Sequence, residues 1–355
     1  MTDAGPALTV DDLTVRIATR RGSARVVNGV SWAVSPGETL AIVGESGSGK
    51  SVSVLSLLGL VARPPAAVTG RATFGGQDLL ALPEEALRKV RGPGIGMVFQ
   101  DPMTSLNPVL TVGRQLTEGM EAHLGLRGRG ARDRAVDLLD QVGIPSPAER
   151  LGAYPHQLSG GMRQRVMIAI ALSCDPDVLV ADEATTALDV TIQAQIVELI
   201  AGLQRDRGMA VVWITHDLGV VAGVADRVAV MYAGRIVEEG AVDDLYADPR
   251  HPYTRGLLAS LPVLGGVAAG RRRAPLAVIP GLPPDPVALP PGCPFFPRCT
   301  VRADARCVDQ VPPLRAVGGP VAADTGGSPH PPHRVATFYD LDGAAPGDER
   351  AGGRP

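Results

Sequence analysis

Apolar positions in the first hundred residues come in short runs closed by turn residues, which predicts strands over 8–17, 26–34, 38–43 and 68–74, the last ending at Gly75-Gly76. A further short buried strand is expected over 95–99. From about 101 to 173 the pattern becomes helical: Ala135, Val136, Leu138, Leu139 and Val142 follow three- and four-residue spacing, as in a helical insert between two strands. Strand and helix then alternate, with strands over 177–181 and 210–215, a helix over 191–205 and a final β stretch over 227–237. That order predicts a mainly parallel α/β core with an antiparallel β portion at the N-terminal end. Beyond Pro262, proline and glycine crowd the chain, as in Ile279-Pro280-Gly281-Leu282-Pro283-Pro284 and Pro290-Pro291-Gly292, which excludes one regular element. The segment 341–355 reads as disordered, and no internal repeat is found.

Between the third strand and an expected helix over 51–60 lies Gly44-Glu45-Ser46-Gly47-Ser48-Gly49-Lys50-Ser51, which fits the phosphate-binding pattern G-x-x-x-x-G-K-[ST] at every fixed position. Glycines let backbone N–H groups approach a phosphate, and the helix N-terminus adds its positive end. Lys50, one of only two lysines in the chain, is slender enough to lie along the β- and γ-phosphates, and Ser51 offers a hydroxyl to Mg²⁺.

Composition narrows the use of that nucleotide. With 355 residues there is room for a large domain of roughly 200–250 residues and an appendage. The net charge of −3 gives no basic footprint for nucleic acid. No apolar run approaches the ~20 residues needed to span a bilayer; the longest candidate, 209–231, is broken by His216, Asp217, Asp226 and Arg227. No export signal is visible at the start, so the expectation is a soluble cytosolic protein whose membrane role comes through partners. The four cysteines then read as reduced thiols or metal ligands rather than disulfides.

Val178-Leu179-Val180-Ala181-Asp182-Glu183 resembles the Walker B element of P-loop ATPases, with Asp182 placed to hold Mg²⁺ and Glu183 to orient or deprotonate the attacking water. Leu158-Ser159-Gly160-Gly161-Met162-Arg163-Gln164-Arg165 resembles the signature sequence of ATP-binding cassette (ABC) proteins. It forms a second anion site, with Ser159 and the Gly160 and Gly161 amides capping a helix. In that family two cassettes dimerise head to tail, each signature closing over the ATP of the opposite P-loop. The same resemblance implies that Gln100 links Mg²⁺ and the attacking water to the membrane subunits, that Ala187-Leu188-Asp189 is the D-loop at the dimer interface, and that His216 is the switch histidine near the γ-phosphate.

Within the ABC proteins the chain is similar to the ATPase subunits of dipeptide and oligopeptide importers. The matching stretches are Phe99-Gln100-Asp101-Pro102-Met103-Thr104-Ser105-Leu106-Asn107-Pro108, Tyr154-Pro155-His156-Gln157, Thr185-Thr186-Ala187-Leu188-Asp189-Val190-Thr191, His251-Pro252-Tyr253-Thr254, the segment 279–284, and Cys293-Pro294-Phe295-Phe296-Pro297-Arg298-Cys299. The division implied is an ABC nucleotide-binding domain over 1–262 and an oligopeptide-transporter-type extension over 263–340. Implied partners are two transmembrane permease subunits, a second, paralogous ATPase forming a heterodimer with this one, and an extracytoplasmic solute-binding protein. The implied location is the cytoplasmic face of the cell membrane.

The chain departs from that pattern in three places. Ala184 replaces a proline commonly found after the glutamate. Ile17 stands roughly where an aromatic usually stacks on adenine, leaving base binding to aliphatic contact. Cys293, Cys299 and Cys307 match a cluster that in some relatives is similar to an iron–sulfur site, but Thr337 holds the place of the fourth cysteine. His330 or His333 could complete that site, and three unmodified thiols are the other reading. Rival functions are the same ATPase role for nickel or another small solute, and a soluble ABC protein of DNA repair or translation. Against the last stand a single cassette and the lack of a heptad run.

Overall fold

The structure is a computed structural model that describes residues 5–185, 189–261, 278–317 and 332–339. Its strands divide into two sheets. In the smaller, β1 (Leu8–Thr19) pairs antiparallel with β2 (Gly22–Val34) and with β4 (Ala66–Phe74), which also pairs with the two-residue β5 (Gln77–Asp78). In the larger, β9 (Arg227–Tyr232), β3 (Thr39–Val43), β8 (Ala210–Thr215), β7 (Val178–Asp182) and β6 (Ile95–Val98) lie side by side and parallel. Antiparallel β10 (Arg235–Ala241), β12 (Arg334–Val335) and β11 (Arg315–Ala316) extend it beyond β9.

The central strands read as unbroken apolar runs because both faces of the sheet are covered. Alternate residues point to opposite sides. Leu40 and Ile42, Val178 and Val180, Val212 and Ile214, and Ala229 and Met231 share one core with Leu8, Val10 and Leu13 of β1 and Val54 and Leu57 of the helix Lys50–Leu57. On the other face, Leu179, Ala181, Val211 and Trp213 join the core of the helical insert. Ala41, Val43, Val228, Val230 and Tyr232 join a third core that contains Tyr253, Phe295 and Cys299. Phe295 and Cys299 near the C-terminal end therefore pack into the same interior as strands of the large sheet.

The insert is built from helices Pro102–Ser105, Val112–Gly119 with a π turn Met120–Leu124, Gly128–Gln141, Pro147–Arg150 and Gly160–Ala171. Ala131, Ala135, Leu138 and Leu139 bury the expected stripe against Val166, Leu172 and Trp213, each large aliphatic side chain contributing about 1.5–3 kcal/mol.

Four expectations need correction. The helix after the P-loop stops at Leu57 rather than 60, where Leu58 caps it and Gly59 turns the chain at φ 65°. β6 ends at Val98, and Phe99 is an exposed aromatic rather than a strand residue. The stretch 227–237 is a hairpin, not one strand, because Ala233 and Gly234 adopt φ of 47° and 80° and reverse the chain. The extension, read as wholly irregular, supplies β11 and β12; each is only two residues long, too short to show alternation.

Candidate functional site

The P-loop leaves the end of β3 and enters the helix Lys50–Leu57 through backbone that only glycine can follow. Gly44 has φ 156° and a Cβ there would sit 2.1 Å from the Met231 carbonyl oxygen; Gly49 has φ 101°, and its Cβ would lie 2.4 Å from the carbonyl oxygen of Val26. Lys50 is buried, and its Nζ donates to the carbonyls of Gly44 (2.8 Å) and Glu45 (3.1 Å), curling the loop around the ammonium. Burial pushes the Lys50 ammonium below its usual range, against the pull of Glu183, Asp182 and Glu45. The Ser48 hydroxyl is buried without a hydrogen-bond partner among the described residues, an orphaned donor inside the phosphate loop. Such a cradle fits a phosphate group.

β7 lies one strand from β3, across β8, and its end brings the two carboxylates to the loop. Ser51 Oγ donates to Asp182 Oδ1 at 2.7 Å. Burial pushes the Asp182 carboxyl upward and Glu183 adds to it, while the Ser51 hydrogen bond and Lys50 oppose the rise. A hydroxyl and a carboxylate meeting at one point are oxygen donors suited to Mg²⁺.

Glu183 has φ 47°, the left-handed region that a side chain rarely adopts, and its N–H is held by the Ile214 carbonyl at 2.8 Å. This turn aims the carboxylate at the site: Oε2 accepts from Gln100 Nε2 at 2.8 Å, and Oε1 lies 3.9 Å from Lys50 Nζ and 3.6 Å from His216 Nδ1. Gln100 follows β6, and His216 follows β8, so parallel strands deliver these groups to one edge of the sheet. The structure thus gathers Lys50, Ser51, Gln100, Asp182, Glu183 and His216. Gln100 reaches the site through Glu183.

Ser159–Gly161 are not part of that network. Ser159 caps the helix Gly160–Ala171, its Oγ accepting from the Met162 N–H at 3.3 Å, and Gly161 packs against Ile192. Asp189 accepts from the Ile192 N–H at 2.9 Å and caps the helix Val190–Arg207; Ala187 and Leu188 lie outside the described residues. Ile17 is half-buried on β1, opposite Ala24 and Ala66, and packs on the core beneath the small sheet.

All four cysteines are free. Cys293, Cys299, Cys307 and Thr337 line one cavity of about 10 Å³ together with Tyr339. Burial pushes the Cys293 thiol up to about 11. Thr337 lines the same cavity as the three thiols, and its hydroxyl donates to the Tyr339 carbonyl at 2.6 Å. His333 is engaged with Glu238 at 2.8 Å, and His330 lies outside the described residues. Among the described residues no group of three or more His, Cys, Asp or Glu could hold a metal. Three thiols around a space of one water do not fit a four-thiolate cluster.

Arg298 and Tyr253 are functional residues that sequence reasoning missed, although both lie in stretches shared with the importer ATPases. The Arg298 guanidinium grips Glu45 of the P-loop with two hydrogen bonds, and Tyr253 Oη accepts from the Glu45 N–H at 2.8 Å. A carboxylate inside a loop built for anions was the available signal.

Comparison with known proteins agrees with this geometry. Residues 27–186 match the ABC transporter family, and residues 237–307 match the oligopeptide/dipeptide transporter C-terminal region. A protein of Brucella abortus (strain 2308), whose name assigns it to peptide import as an ATP-binding protein, is 52% identical over 319 residues, covering 88% of this chain and 94% of its own. One of Brucella suis biovar 1 (strain 1330) with the same assignment is 51% identical over 314 residues, covering 88% and 93%. Among solved structures, the ATP-binding cassette MJ0796 in a dimeric post-hydrolysis state bound to ADP and Pi superposes with a TM-score of 0.60 at 28% identity, over 66% of this chain and 98% of that one. The cassette cbiO1 of Clostridium perfringens, part of the complex cbiONQ, gives 0.58 at 28% identity, over 68% and 91%. The chain belongs to the ATP-binding proteins of the ABC transporters, in the family of the peptide import ATP-binding proteins.

Proposed function

We propose that this chain hydrolyses MgATP to power import of di- or oligopeptides, with 1–262 as the cassette and 263–340 as its extension. The observation that carries the reading is the convergence on Glu183 of Lys50, Gln100 and His216 beside the Ser51–Asp182 pair. Lys50 and the backbone of Gly44, Ser46, Gly47, Ser48 and Gly49 hold the phosphates. Ser51 and Asp182 would hold Mg²⁺ with Gln100 nearby, and the ion would neutralise charge on the transferred phosphoryl group. Glu183 takes the proton of the attacking water, Gln100 fixes the carboxylate by its 2.8 Å bond, and His216 completes the γ-phosphate side.

Ser159 and Gly160 are exposed, and a Cβ at Gly160 would meet nothing within 4 Å, so packing inside the chain does not call for glycine there. That supports a signature serving the P-loop of a second, paralogous ATPase, with Asp189 at the same interface. Among the described residues no helix is long and apolar enough to cross a membrane. The peptide-import assignment of the relatives supports membrane permease partners, here two permease subunits, with a solute-binding protein outside and this chain on the cytoplasmic face. Peptide as cargo rests on the extension and on the names of the relatives. Nickel or another small solute stands as the alternative, decided by ligand binding to the co-purified solute-binding protein. In the extension the cysteines have a structural role as free thiols.

The test pairs two variants. Glu183→Gln is expected to keep ATP binding and lower turnover by roughly 10²–10⁴, the scale of losing a general base. Lys50→Ala is expected to weaken ATP binding itself. Near-normal hydrolysis by Glu183→Gln would remove that residue from its role.

A further inference from the structure

Glu45 occupies a variable position of the P-loop, and its presence there is a problem. Its carbonyl accepts from Lys50 Nζ at 3.1 Å, so its carboxylate is carried by a residue that lies directly against that ammonium. A bare carboxylate in this place would repel the phosphates and draw on the one lysine that binds them. Arg298 of the extension answers it, with Nη1 on Oε2 at 2.8 Å and Nη2 on Oε1 at 2.9 Å.

The guanidinium is held by its own surroundings as well as by Glu45. Its Nε donates to the Pro280 carbonyl at 2.9 Å and Nη1 to Tyr232 Oη at 3.3 Å, and it lies 5.7 Å from the Tyr232 ring centroid. The Arg298 side chain is 5% exposed, while that of Glu45 is 26% exposed. Tyr253 holds the Glu45 N–H from the cassette side. The loop residue is thus fixed at its backbone by the cassette and at its charge by the extension.

We propose that Arg298 is a positioning residue of the nucleotide site: through Glu45 it cancels the P-loop's own negative charge, so that phosphate affinity depends on the folded extension. The proposal rests on the nucleotide-site reading above. Without Arg298, Glu45 competes with the phosphates for Lys50. Removing the Glu45 charge as well ends that competition, so in the absence of Arg298 the loss of the Glu45 charge restores nucleotide affinity.

The experiment titrates a fluorescent ATP analogue with Mg²⁺ into the full-length chain. Arg298→Gln is expected to bind about tenfold more weakly, the scale of losing a charge-assisted hydrogen-bonded partner. Glu45→Gln is expected within about threefold of wild type, and the double variant to recover to the same range. Heat denaturation without nucleotide is expected to show Arg298→Gln and the double variant lowered alike, because the lost contacts to Pro280 and Tyr232 are not restored. A role in tail stability alone predicts no rescue. Wild-type affinity in Arg298→Gln, or a loss that the double variant does not recover, overturns the proposal. Should Arg298→Gln fail to fold, Arg298→Lys keeps the charge and is expected to retain more than about a third of the affinity; binding as weak as that of Lys50→Ala overturns the proposal equally. Failure of the underlying reading looks different: Lys50→Ala would then bind the analogue as tightly as wild type.

Discussion

His251 gives the fold a built-in acid sensitivity that can be worked out from its surroundings. It is 2% exposed and caps the helix Pro252–Ala259, its Nδ1 accepting from the Tyr253 N–H at 3.1 Å. That bond needs an unprotonated Nδ1. Glu238, which accepts from the His251 N–H at 2.9 Å, favours the charged ring, but burial outweighs it and lowers the pKa from 6.5 to about 4. With the folded value depressed, the unfolded chain binds the proton first, so stability is present above pH 6.5 and is lost as pH falls toward 4. At pH 5 the cost relative to pH 7.5 is about 2 kcal/mol, and it approaches about 3 kcal/mol below pH 4. His251→Asn keeps a side-chain acceptor for the cap and removes the titration. The assay is thermal denaturation of both proteins from pH 7.5 to 5. Other groups titrate in both, so the signal is the difference: wild type is expected to lose about 4–8 °C more than the variant over this range. Parallel Tm profiles would refute the argument, whatever the offset between them.

Two further outcomes test the interface and the tail. Ser159→Arg is expected to leave nucleotide binding at Lys50 intact, measured by photo-crosslinking of ATP to each subunit, while abolishing hydrolysis at the partner's P-loop, measured by phosphate release; ATP lost from this chain instead would refute a signature acting in trans. Anaerobic purification is expected to yield less than stoichiometric iron and acid-labile sulfide, since Thr337 spends its hydroxyl on the Tyr339 carbonyl; a stoichiometric, air-stable cluster would show that another residue supplies the fourth ligand.

The nucleotide site was legible because its parts are contiguous in sequence or fall at strand ends. The octapeptide from Gly44 to Ser51 carries its own geometry, and Asp182, Glu183, Gln100 and His216 each sit at the end of a strand or just beyond it, in a sheet whose order brings those ends together. What could not be read is long-range pairing. Arg298 and Glu45 are 253 residues apart, and nothing local to either names the other. The hairpin at Ala233-Gly234 is hard to read for a local reason: the first turn position, where asparagine or glycine usually announces such a turn, is an alanine at φ 47°, and only the second is a glycine. Asp189 shows the converse. Its local chemistry as a helix cap is plain, whereas an interface role depends on a surface that one chain does not contain.

The placement of the extension bears on how the site is held. Val43, the last residue of β3 before the P-loop, shares a core with Tyr232, Tyr253, Phe295 and Cys299. Tyr232, Tyr253 and Phe295 pack ring against ring, with centroids 4.6 to 5.5 Å apart, and Arg298 leaves the edge of that cluster to reach Glu45. Each such aromatic pair is worth about 0.5–1.5 kcal/mol beyond its buried area, so the cluster is stiff as well as apolar. The strand that feeds the phosphate loop is therefore packed from behind by the aromatic cluster on which the Arg298 guanidinium rests. An extension attached only at the surface could supply the arginine but could not hold it in register with the loop. Burial of Phe295 and Cys299 in the cassette's own core is what allows a residue so distant in sequence to position a phosphate-binding turn.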